Sequence, residues 1–101
     1  MTLAYVFHPL AATELDEAVE HYENIQTGKG LDLLATTQKA IQHICSFPEA
    51  APPSRGTVRS KLISPRRRWH YTIHYPVKDG AIRILAFAHQ KQQPFYWFAR
   101  R

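Results

Sequence analysis

At 101 residues, 45% apolar and 21% charged, the chain is sized for a single domain, residues 1–101, whose core closes without metals, and its lone cysteine, Cys45, excludes an internal disulfide and fits a reducing compartment. Unbroken apolar runs such as Ile84 to Ala88 fall far short of the ~20 residues a membrane span requires, and no apolar leader precedes the first basic residue, Lys29, so a cytoplasmic protein with no membrane partner is expected. The net charge of +5 hides two unlike halves: seven acids against two lysines give −5 over residues 1–50, and eleven Lys/Arg against Asp79 alone give +10 over residues 51–101, which points to a basic working face for nucleic acid or an acidic protein.

Leu3 to Phe7 alternates and is rich in strand formers, so a short first strand is expected there. His8-Pro9 ends it and opens a helix, because proline suits the first helical turn. Leu15, Ala18, Val19, Tyr22 and Ile25 recur at helical spacing and form its apolar face, while Glu14, Asp16, Glu17, Glu20 and Glu23 read as a solvated acidic face. Thr27 to Gly30 breaks the pattern, and a second helix is predicted from Leu31 to Phe47, with Leu31, Leu34, Gln38, Ile41 and Cys45 on its inner face and Pro48 at its end. Gly28 and Gly30 are connectors, since no phosphate-loop pattern surrounds them. Cys45, between Ile44 and Phe47, reads as a buried structural thiol.

Ala50 to Ser54 is expected as a loop and Arg55 to Ile63 as a strand, with Val58 and Leu62 on one side and Arg59 and Lys61 outward. The following stretch, RRRWHYTIHYPVKDGAIRILAFAH, from Arg66 to His89, reads as a β-hairpin. Trp69, Tyr71, Ile73, Tyr75 and Val77 share the core-facing parity, and Arg68, His70, Thr72 and His74 the other. Asp79-Gly80 supplies the positive-φ turn, and the return strand is apolar on both parities except at Arg83, which marks it as central. The predicted fold is therefore α+β: an N-terminal strand, an antiparallel helical hairpin, and a three-stranded antiparallel meander, with the helices on one face of one sheet.

Six histidines raise the question of a metal. His70 and His74 lie four residues apart on a strand, about 13 Å, too far to share an ion, so no metal site and no cofactor are expected. His89 ends the central strand, and two roles stay open for it: general acid or base, or a donor that holds the tail. Arg66, Arg67 and Arg68 with Arg59, Lys61 and Arg83 make a basic surface interleaved with His70, Tyr71 and His74, suited either to single-stranded RNA or to an acidic protein. In the tail, Phe95, Tyr96, Trp97 and Phe98 cannot all face inward, so some anchor the tail and at least one is a contact residue.

Taken together, the strand ending in proline, the acidic helix carrying Tyr22, the helix closing at Phe47-Pro48, and WHYTIHY and ILAFAH followed by PFYWFAR resemble the RelE/ParE superfamily of type II toxins. The C-terminal pattern of His89, Pro94, Tyr96, Trp97 and Arg100 is similar to the ParE-like, plasmid-stabilisation branch. The resemblance implies a toxin that poisons DNA gyrase and is neutralised by a cognate antitoxin in a hetero-oligomer. The RelE-like alternative is a ribosome-dependent, metal-independent mRNA endonuclease, which would act on ribosome-bound mRNA through His70, His74, His89 or Tyr96. Against it, Thr72 and Gln90 stand where that branch carries arginines that would stabilise a phosphorane. Lys91 is the only base available where gyrase poisons usually carry arginine, and it lacks arginine's fork. An inactive, antitoxin-binding remnant is the third reading. The target- or antitoxin-binding residues expected are Arg59, Lys61, Arg66, Arg67, Arg68, Tyr71, Arg83, Lys91, Tyr96, Trp97 and Arg100.

Overall fold

A computed structural model describes residues 2–65 and 67–100. It contains, in chain order, β1 (Tyr5–Phe7), α1 (Pro9–Ile25), α2 (Lys29–Ser46), β2 (Pro53–Arg55), β3 (Val58–Leu62), β4 (Tyr71–Tyr75), β5 (Val77–Lys78), β6 (Ala81–Ile84) and β7 (Ala86–His89). No described helix is long and apolar enough to cross a membrane.

α1 begins where predicted: Pro9 occupies its first turn and the Nδ1 of His8 accepts from the N–H of Leu10. Leu15 and Ala18 are buried, Val19 and Tyr22 half-buried, and Ile25 lies outside the core. Gly28 takes the left-handed φ of +89° at the joint. Gly30 is more than a connector, because a Cβ there would stand 2.2 Å from the carbonyl oxygen of Val19. Only glycine lets the two helices approach so closely. The inner face of α2 is rotated from the expected one: Leu33, Thr37, Ala40, Ile41, Ile44 and Cys45 are buried, whereas Leu31 is 63% exposed and Gln38 is exposed. Leu31 and Gln38 sit beyond the edge of the stripe that meets the sheet. Cys45 is buried as expected, and burial raises its thiol pKa.

The two arms of the long hairpin run β4–β5 and β6–β7, with Asp79 (φ +54°) and Gly80 (φ +74°) in the two-residue turn between Lys78 and Ala81. β1 joins β6 in parallel, pairing Tyr5 with Ile82 and Phe7 with Ile84. On the other flank β2, β3, β4 and β7 are antiparallel neighbours. Three details differ from expectation. The strands form two sheets and not one, ordered β1-β6-β5 and β2-β3-β4-β7, and the long hairpin is divided between them. The segment from Arg55 to Ile63 is not one strand: it turns at Gly56-Thr57, so β2 and β3 form a hairpin of their own, and part of the expected 50–54 loop enters the sheet. The return strand also breaks, because the pairings His74 with Ala86 and Val77 with Ile82 differ in register by one residue. The extra residue makes a bulge at Leu85-Ala86.

That bulge explains why the return strand is apolar on both parities. Ile82, Ile84 and Phe87 belong to the main core under the helices, with Ile63, Trp69, Ile73 and Tyr75. Leu85 and Ala86, though consecutive, both belong to a second cluster with Val58 and Trp97. A small second core thus exists, and the C-terminal tail covers it. The parity reading holds for Trp69, Ile73 and Tyr75 and fails at Val77, which lies past the edge of the helical layer and is 41% exposed. Leu62 is also exposed, while Ile63 is buried in the main core.

Candidate target-binding surface and the C-terminal tail

The tail is held by one carboxylate. Glu14 lies in α1, on the side that meets the bulge, and its Oε1 accepts from the backbone N–H of Phe87 at 3.0 Å. Arg100 approaches in a two-point fork, Nη1 to Oε1 at 2.9 Å and Nη2 to Oε2 at 3.1 Å, and also donates to the carbonyl of Leu85 at 2.9 Å. The hydroxyl of Tyr96 donates to Glu14 Oε2 at 2.7 Å. The two backbone groups beside the bulge are therefore satisfied by side chains, and the same side chains pin the tail. Burial, then the hydrogen bond to Glu14, raises the Tyr96 pKa. Glu14 was expected on the solvated face, and the structure corrects this. Glu23 departs from it too: its carboxylate accepts the N–H groups of Gly28 (2.8 Å) and Gly30 (3.0 Å), capping the start of α2.

Beneath the tail, Trp97 is buried and its indole stacks on His74 with ring centroids 4.5 Å apart. A ring nitrogen of His74 shares a hydrogen bond with the Ser60 hydroxyl at 2.8 Å, and burial lowers the His74 pKa to about 4. His74 is therefore neutral at ordinary pH, and it is half-buried. The tail's remaining aromatics, Phe95 and Phe98, are 41% and 46% exposed. The guanidinium of Arg55, from β2, sits 5.0 Å from the centre of one ring and 4.2 Å from the other. Arg55 was not among the expected site residues; its signal is visible only once β2 brings it beside the tail.

The other expected residues do not form one basic face. Arg59 and Lys61 pair across the strands with Tyr75 and Ile73, so they lie on the helix-side face, opposite Ser60 and His74. Arg59 does not point outward but holds the carbonyls of Glu49 (3.1 Å) and Ala51 (2.7 Å). Lys61 lines a cleft of about 280 Å³ with His43, Phe47 and Leu62. Arg66 lies outside the described residues. Arg67 is exposed, and Arg68 makes an exposed ion pair with Asp32 of α2 at 2.9 Å, worth at most about 1 kcal/mol. Arg83 is half-buried in a separate groove with Lys78 and Arg100. Tyr71 stacks on Phe87 at 4.6 Å, and burial pushes its pKa up to about 12.

At the far end of β7, His89 orders the start of the tail: its Nδ1 accepts from the N–H of Lys91 at 3.1 Å and its own N–H donates to the side chain of Gln92 at 2.8 Å. His70 takes a left-handed φ of +45°, which breaks the strand alternation, and its ring lies 6.3 Å from that of His89. Burial, followed by the charge of His70, lowers the His89 pKa. Lys91 is exposed. Among the described residues no group of three His, Cys, Asp or Glu side chains is placed to hold a metal ion.

The sequence matches the model of a family described as ParE toxin of type II toxin-antitoxin system, parDE, over residues 5–94. The match ends at Pro94, so Tyr96, Trp97 and Arg100 lie beyond it. No protein of curated function matches the chain. Among solved structures, the chain is similar to one titled "Chromosomal ParDE TA system from P. aeruginosa", with a TM-score of 0.62, 18% identity, and 87% of this chain and 96% of that chain covered. At that identity the likeness concerns the fold, and the family match, which covers most of the chain, carries the assignment. The chain belongs to the ParE toxin family of type II toxin-antitoxin systems.

Proposed function

We propose that the protein inhibits DNA gyrase through a protein surface built on its C-terminal tail, in the cytoplasm, and that a cognate antitoxin neutralises it. One observation carries this reading beyond family membership. The tail is locked by Glu14 so that Trp97 and Tyr96 face inward while Phe95, Phe98 and Arg55 form an exposed aromatic-cationic patch. Exposed rings fixed on a rigid base, with an arginine between them, are the residue types that dominate protein interfaces.

The same geometry weighs against RNA cleavage. A general base must reach the proton it takes with a pKa near the working pH. His74 is half-buried against Trp97 with its pKa lowered to about 4, and the Tyr96 hydroxyl is committed to Glu14 with a raised pKa. Thr72 and Gln90 supply no positive charge for a phosphorane. The second reading, a metal-independent mRNA endonuclease, keeps one specific support: His70 and His89, adjacent at the end of the sheet.

The direct test is a supercoiling and DNA-cleavage assay with purified gyrase. Inhibition by the toxin, relieved by the antitoxin, is the expected result. Untouched supercoiling and cleavage at excess toxin would overturn the proposal, and cutting of ribosome-bound message would move the function to the histidine pair.

A further inference from the structure

No Asp, Glu, Lys or Arg precedes Glu14 in the chain. β1 lies in this uncharged stretch and forms an edge of the β1-β6-β5 sheet, with β6 on one side and, among the described residues, no strand on the other. Its ladder with β6 uses alternate residues: the N–H of Ile82 donates to the Ala4 carbonyl and the N–H of His8 to the Ile84 carbonyl, both at 2.8 Å. Strand alternation therefore turns the N–H and C=O groups of Tyr5 and Phe7 to the open side. Edges are ordinarily blunted by a lysine, a bulge or a proline within the strand. β1 has none of these, since Pro9 lies past its end, and Tyr5 and Val6 are 49% and 54% exposed. Beside the edge, Leu3, Ala4 and Tyr5 form one wall of a groove of about 590 Å³, and Gln42, Cys45 and Ser46 of α2 form the other. No charged residue lines it.

We propose that β1 pairs with β1 of a second copy of the chain, antiparallel about a two-fold axis at Val6, so that the two sheets become one. In that register Tyr5 of each copy stands opposite Phe7 of the other, and their outward N–H and C=O groups exchange hydrogen bonds. Tyr5 and Phe7 already meet edge to face within one copy, with ring centroids 6.1 Å apart, and pairing extends them into a cross-strand aromatic cluster. Val6 meets its own counterpart. The same register sets Leu10, itself 52% exposed, beside Thr2 of the other copy at the mouth of the groove. Charge selects the occupant. An uncharged strip gives an acidic or basic protein no electrostatic advantage and offers nucleic acid no phosphate contact, whereas a second copy matches it in register and in residue type.

The test uses the full-length toxin alone, in sedimentation velocity over a concentration series with hydrogen exchange at both ends. A short edge and one groove make a small interface, so a reversible dimer with a dissociation constant on the order of 1–100 μM is expected. The amides of Tyr5 and Phe7 should slow as the dimer fills, while that of His8, already bonded to Ile84, should not change. Val6→Lys sets like charges opposite each other at the axis and should weaken the dimer by about 10-fold or more. Leu10→Glu, outside the strand, should weaken it by about 5-fold, while Leu31→Lys, at a 63% exposed position, leaves it unchanged. A toxin that stays monomeric up to about 1 mM would overturn the proposal. A dimer that Val6→Lys and Leu10→Glu leave at full strength would overturn it too, by placing the contact elsewhere. Slowing of Tyr5 and Phe7 only when another protein is added, with the toxin alone monomeric, would assign the edge to that protein and overturn the self-pairing.

Discussion

Glu14 and Arg100 form a forked ion pair, with a shortest approach of 2.9 Å, although 86 positions separate them in the chain. Their side chains are only 18% and 13% exposed, so the pair sits in a shielded setting where removing one partner strands the other. Glu14→Ala should therefore destabilise the fold by about 2–4 kcal/mol, well above the effect of an exposed acid such as Glu17. Urea unfolding measures this. In a double-mutant cycle with Arg100→Met the coupling should exceed about 1 kcal/mol. Additive losses would show that the tail is anchored by Trp97 alone.

The exposed patch separates function from folding. Phe98→Ala and Arg55→Ala should leave stability within about 0.5 kcal/mol, since neither side chain is buried. Both should weaken gyrase inhibition by at least about 10-fold if these residues are interface anchors. Trp97→Ala should instead cost about 3–5 kcal/mol, because it empties the second core. Thermal melts beside supercoiling titrations distinguish the two classes.

His74 makes stability depend on pH. Its pKa is lowered to about 4 in the fold, by burial and against the opposing pull of Glu14, while the unfolded chain protonates it near 6.5. Between those values the unfolded state binds more protons, so stability is full above about pH 6.5 and falls as the pH drops toward about 4. The loss should reach about 3 kcal/mol at the lower end. His74→Gln should flatten much of this slope in denaturation curves taken at pH 7 and pH 5. An unchanged slope would place the titration elsewhere.

Gly30→Ala should be among the most damaging single-methyl changes in the chain. The added carbon would meet the Val19 carbonyl at 2.2 Å and Glu23 Cβ at 2.9 Å, forcing the helices apart at a cost of about 3 kcal/mol. Gly80→Ala meets open space and only the left-handed φ, so about 1–2 kcal/mol is expected. Urea midpoints of the two variants should rank in that order.

Much of the fold was legible because its signals are local. The parity of Trp69, Ile73 and Tyr75, the Asp79-Gly80 turn and the His8-Pro9 helix start all act through nearest neighbours, and all are found as expected. The inner face of α2 was misjudged because Thr37, a polar residue, is buried there, while Leu31 is spent on the surface. The bulge did leave a trace, since apolar residues on both parities of the return strand fit a face switch at Leu85-Ala86 as well as they fit a central strand. The hub at Glu14 left none. One acid among five on a helix is singled out only by Phe87, Tyr96 and Arg100, which reach it from 73 to 86 positions away. The basic residues likewise looked continuous along the chain, but strand alternation and the β2–β3 turn scatter them over separate faces.

Action on gyrase is best examined by pulse-labelling of DNA and protein synthesis in the first minutes after induction. An early collapse of DNA synthesis with translation spared, lost in Phe98→Ala, is the expected result. An early collapse of translation with DNA synthesis continuing would contradict it and direct attention to His70 and His89. Undisturbed synthesis of both, at confirmed toxin levels, would contradict it as well and identify the chain as an inactive member of its family.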